Sequence, residues 1–241
     1  MSTNPNIVAQ YRKLRLPLVA NAIATLFSLD DYPSMSKEGC LNYIAKSIDS
    51  QKRNKKADKY RLDANLPNPG AEIDDIDLSN QPQIAQYELD ELLTSDWKAL
   101  EQSHVFAGAI GNIKNQLASA IANHFIDKAT PTLAISLNKL LIELRTAVRN
   151  DELEDQLSAL NKLELLFIYD WHLENMAAPD APLLALLLRG RKFPLLITTD
   201  QISEKWFEDV YESLLPDVIK QQLLEHVFVW DVQEPIQTSL H

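Results

Sequence analysis

The sequence predicts an α/β fold: five buried parallel strands wrapped by helices, preceded by a small helical domain. Three observations predict it. From about residue 103 onward, short apolar runs alternate with stretches of helical periodicity. The runs are continuously apolar, as in strands covered on both faces. The intervening stretches are helical, as the crossovers of parallel strands require. At 241 residues, with 46% hydrophobic and 24% charged positions, the chain has the composition of a folded protein and room for one main domain with an appendage.

Each element has its own justification. Ile7 to Leu29 reads as two short helices separated at Pro17, because proline removes a donor and disfavours helix in the residue before it. After a turn over 30–36, Ser36 is placed to cap a third helix, in which Leu41, Ile44, Ala45 and Ile48 recur at helical spacing; it is expected to run to about Asp63. Leu66 to Pro82 combines prolines, a glycine and acidic residues with little periodicity and reads as a linker. The expected division is therefore a helical domain over 1–65, a linker over 66–82 and an α/β domain over 83–241. A helix over Ile84 to Leu93, extending toward Trp97, opens the last part. Strands are then expected at HVFAG from His104, TLAIS from Thr132, LELLFIY from Leu163, PLLITT from Pro194 and HVFVW from His226. Helices are expected at Lys114 to Lys128, Leu137 to Arg149, Leu183 to Arg189 and Ser203 to Leu224.

Charge is unevenly distributed. Lys46, Lys52, Arg53, Lys55, Lys56, Lys59 and Arg61 stand against only Asp49 and Asp58, giving the 46–61 segment a net +5 and the rest −16, for a total of −11. A body this acidic is poorly suited to coat a polyanion, so DNA contact is expected from the basic segment, the alternative being a solvated helix face. Cys40, the single cysteine, excludes an internal disulfide and a thiolate cluster and reads as packing. No apolar stretch approaches the roughly 18 residues of a membrane helix, and no signal-peptide pattern is seen, so a cytoplasmic location without membrane contact is expected.

The chemistry gathers at strand ends, where open parallel sheets hold their ligands. GAIGNIKNQ, from Gly108, follows the first strand and opens a helix, the layout of a phosphate-binding loop. The match to G-x-x-x-x-G-K-[ST] is partial: Gly108 and Lys114 fit, Gly111 is an additional glycine, Ile113 replaces the second glycine and Asn115 the hydroxyl. The third strand ends in Tyr169-Asp170, where such enzymes carry an acidic pair, and the fourth in Thr198-Thr199-Asp200, where a polar sensor belongs. His172, with no second histidine at ligand spacing, reads as packing or surface, and the four tryptophans as core or interface.

These segments, with KLRLPLVANAI, NLPNPGAEIDDIDLS, LLFIYDWHLE and LLITTDQISEKWFEDV, resemble the IstB and DnaC group of AAA+ ATPases, which assist transposases or load replicative helicases. The resemblance covers nearly the whole chain, is nearer IstB at the N-terminus, and implies a P-loop, AAA+-like sheet without a lid domain. It assigns the nucleotide site to Gly108, Gly111, Lys114, Asn115, Asp170 and Asp200. It places Tyr169 where the Mg²⁺ aspartate stands, Asp170 at the catalytic acid, Asp200 at the sensor asparagine and Gln222 at the arginine finger.

With these parts altered together, the expectation is a pseudo-ATPase without a cofactor, the alternative being ATP with Mg²⁺. Lys114 is then expected to pair with Asp170 and Asp200 in place of a phosphate. The implied role is a non-hydrolysing adaptor that positions a transposase or other protein partner on DNA. A helicase-loader role, a divergent active DNA-dependent ATPase and a homo-oligomeric scaffold stand as alternatives.

Overall fold

The computed structural model describes residues 5–79, 81, 84–108 and 113–232. The chain divides into two compact units, Met1–Asp58 and Lys59–His241. The division falls inside a helix rather than at 66–82. The expected linker belongs to the second unit for a physical reason: Leu66, Ala71 and Ile76 are buried. Asn123 also donates its amide to the Pro69 and Ala71 carbonyls at 3.1 and 2.9 Å.

The first unit contains α1 (Pro5–Lys13), α2 (Pro17–Phe27) and most of α3 (Lys37–Asp63). Arg15 turns the chain between α1 and α2 at φ 59°, and Pro17 starts α2 where its missing N–H costs nothing. Ala20, Ala22, Ile23 and Leu26 are buried on α2. Ser36 caps α3, its Oγ accepting from the Gly39 amide at 3.0 Å.

The second unit holds the sheet: β1 (Ser103–Ala107), β2 (Thr132–Ser136), β3 (Leu165–Tyr169), β4 (Leu195–Thr199) and β5 (Val227–Asp231). The order is β2-β3-β4-β1-β5 and every pairing is parallel. The helices are α4 (Gln86–Thr94), α5 (Ile113–Asp127), α6 (Leu137–Arg149), α7 (Leu153–Lys162), α8 (Ala181–Gly190), α9 (Ser203–Glu212) and α10 (Asp217–Glu225). On one face Val105, Ile135, Leu166, Ile168 and Ile197 pack with Leu140 and Leu144 of α6, Leu184 and Leu188 of α8, Trp206 of α9 and Ile219 of α10. On the other, Phe106 stacks on Trp230 at 5.5 Å, and Trp97 meets the edge of Phe125 of α5 at 5.2 Å.

Two expectations change, and one helix is added. The helix expected over Ser203 to Leu224 is two helices, because Pro216 has no N–H to donate and Ser213 hydrogen-bonds the Val210 carbonyl at 2.7 Å, ending α9. The stretch after α6, to which the sequence analysis assigns no element, holds a further helix. Asp151 takes a left-handed φ of 60° and the chain re-enters helix as α7, with Leu153, Leu157 and Leu160 at helical spacing. The helix before the sheet spans Gln86–Thr94, and Trp97 lies in a separate 3-10 turn. Among the described residues, no helix is long and apolar enough to cross a membrane.

Candidate functional site

Strands β3, β4 and β1 are neighbours, so their C-terminal ends bring together residues distant in sequence. Lys114 is the second residue of α5, the helix that follows β1; Asp170 follows β3 and Asp200 follows β4. The Lys114 side chain is 3% exposed and its Nζ lies 2.5 Å from Asp200 Oδ1, whose own side chain is 40% exposed. The ammonium is thus withdrawn from water and compensated by a carboxylate that reaches solvent. That arrangement holds a buried cation without leaving it unbalanced.

Asp170 adopts φ 52°, a left-handed conformation that aspartate tolerates better than most residues. Partial burial of its carboxyl, followed by the Asp200 charge, pushes its pKa above the ordinary value, while His172 and Lys114 act in the opposite direction. Lys114, Asp170 and Asp200 therefore share one electrostatic field.

Asn115, one residue on, accepts from the Thr198 hydroxyl at 2.6 Å, which ties the first turn of α5 to β4. Thr199 Oγ1 donates to the Trp171 carbonyl at 2.9 Å and joins the ends of β4 and β3. Gly108 is fixed by packing: an added Cβ would lie 1.9 Å from the Val232 carbonyl oxygen. The Val232 amide donates to the Ala107 carbonyl at 2.7 Å, holding the chain after β5 against the end of β1. Gly111 lies outside the described residues. Gln222 is on α10, exposed at the rim of a cleft with Arg191 and His226.

Among the described residues, the donors differ from those a triphosphate with magnesium would meet. The lysine is held by a carboxylate, a phenol stands at Tyr169, and the Asp170 carboxyl is shifted toward its neutral form. Among the described residues, no group of three or more His, Cys, Asp or Glu side chains is arranged to hold a metal ion.

The family profile described as IstB-like ATP binding protein matches residues 9–236. The chain belongs to this family. One relative, an insertion-sequence IS5376 ATP-binding protein of Geobacillus stearothermophilus, is 26% identical over 163 residues. That alignment covers 67% of this chain and 65% of the relative, so the match spans just under two thirds of the relative's length. Among solved structures, DnaI superposes with a TM-score of 0.56 at 15% identity, covering 70% of this chain and 95% of that one. The DnaC helicase loader gives 0.53 at 15% identity, covering 61% and 86%. These likenesses show that the IstB-like chain shares the fold of DnaI and DnaC.

The basic residues Lys46, Lys52, Arg53, Lys55, Lys56, Lys59 and Arg61 all lie exposed on α3, and Arg61 is engaged by Asp127. Beside the Lys114 cluster lies a polar network that the sequence reading missed. Gln201 hydrogen-bonds Glu174 at 3.1 Å and also Asp209, while Lys205 pairs with Asp209 at 2.8 Å. The only sequence signal was the i, i+4 spacing of Lys205 and Asp209 on α9.

Proposed function

We propose that this IstB-like protein is a non-hydrolysing adaptor in a DNA transaction, positioning a protein partner such as a transposase on DNA. One observation carries the reading: Lys114, at the position of the phosphate-binding lysine, is buried and bonded to Asp200. A triphosphate entering there would have to displace Asp200 and lie beside Asp170. Two carboxylates at short range repel phosphate oxygens unless a metal screens them. DNA contact is assigned to the exposed lysines of α3, since the rest of the chain is acidic.

The test is a melting curve with and without millimolar ATP and Mg²⁺, paired with a phosphate-release assay. A ligand bound at 100 times its Kd adds about 2.7 kcal/mol, which shifts the melting temperature of a domain this size by several degrees. The adaptor reading expects no shift and no phosphate release. A shift of several degrees, with turnover abolished in Lys114→Ala, overturns it in favour of a divergent ATPase.

A further inference from the structure

A surface formed by α9 and α10 is apolar in the middle and acidic around it. Phe207 and Tyr211 stand one helical turn apart on α9, 38% and 74% exposed. Leu214 in the following turn and Val218 in the first turn of α10 are 58% and 69% exposed. Lys220 Nζ donates to the Tyr211 carbonyl at 2.9 Å, which holds the start of α10 to the end of α9. Exposed Glu204, Glu208, Glu212 and Asp217 flank these residues. The one base from 203 to 218, Lys205, is bonded to Asp209 and Glu208.

We infer that this surface docks a basic amphipathic segment of a partner protein. Apolar side chains of the segment would cover Tyr211, Leu214 and Val218, and its lysines or arginines would meet the four carboxylates. The acidic rim excludes a nucleic acid or an anionic lipid surface as occupant. The inference deepens the adaptor reading by giving the partner a chemistry, and it rests on that reading only for the existence of a partner.

The test uses the full chain and three fluorescent 18-residue helical peptides. One has leucines on one face and lysines elsewhere, one is its scrambled form, and one carries glutamates in place of the lysines. The leucine-lysine peptide is expected to bind, more weakly at high salt. In the double variant Tyr211→Ser, Val218→Ser, which keeps every charge, affinity should fall roughly tenfold or more, as for central apolar contacts of an interface. An unchanged melting temperature would show that the variant is folded. Equal binding of the scrambled or glutamate peptide overturns the inference, as does undiminished binding by the variant. Sedimentation showing that the wild type self-associates and the variant does not would assign the surface to a second copy and also overturn it. Neither substitution touches Lys114, Asp170 or Asp200, so failure here and failure of the adaptor reading register in different assays.

Discussion

Asp170 and Lys114 solve opposite problems with the same neighbour. Asp170 is disfavoured as an anion by partial burial and by Asp200, whereas Lys114 forms its ion pair with that same Asp200. The folded chain holds the Asp170 proton more tightly than the unfolded chain does. This group therefore favours folding below the ordinary carboxylate pKa of 3.8, and that contribution is lost as pH rises through its raised value. Asp170→Asn removes the charge and keeps a residue that accepts the left-handed backbone. Its urea midpoint is expected to exceed that of the wild type at neutral pH, with the advantage shrinking as pH falls toward the ordinary carboxylate value. An advantage that is constant with pH would place the effect elsewhere.

The ion pair makes an asymmetric prediction. Asp200→Asn leaves a buried ammonium short of its closest carboxylate. Discounted for the exposure of Asp200, the cost is about 1–3 kcal/mol. Lys114→Met removes the buried charge and keeps the length of the side chain, so its loss should be smaller. Equilibrium unfolding of the two variants side by side checks the ranking. The three residues of this cluster were legible in the sequence because each ends a strand or opens a helix. Which carboxylate takes the lysine was not, since that depends on the three-dimensional spacing of β3, β4 and β1.

At the scale of elements, apolar periodicity served well for strands and long helices and failed where a single backbone event decided the outcome. The left-handed turn at Asp151 and the break at Pro216 each depend on one residue in a stretch whose neighbours favour helix. The loop glycine is a related case. Gly108 invites a phosphate explanation from sequence, but its lack of a side chain is already required by the Val232 carbonyl. Gly108→Ala is therefore expected to cost about 2–3 kcal/mol from overpacking, in denaturant unfolding without any nucleotide present. On α3 the prediction concerns charge rather than packing. Neutralising the exposed Lys52, Arg53, Lys55 and Lys56 should leave the melting temperature unchanged. It should also flatten the dependence of log affinity for duplex DNA on log salt by roughly three to four units. A salt slope equal to that of the wild type would remove α3 from the DNA contact.

For the whole molecule, the parallel α/β class followed from strand composition, and the family resemblance agrees with the match over residues 9–236. The separation of the two units inside α3 did not follow. Low periodicity over 66–82 marks irregular backbone, and irregular backbone can be packed as firmly as a helix when side chains such as Asn123 satisfy its carbonyls.

The strand order has a consequence for how the chain is made. β1 emerges first from the ribosome among the five strands, yet its two partners, β4 and β5, are the last to be synthesised. Its apolar edges wait unpaired while β2 and β3 are already able to join, and the middle of the sheet closes only after β4 has been made. Such long-range closure is slow and leaves sticky intermediates. Dilute, cool refolding should recover more native protein than concentrated refolding, and chaperones that shield nascent chains should matter more for this protein than for a helical bundle of equal size.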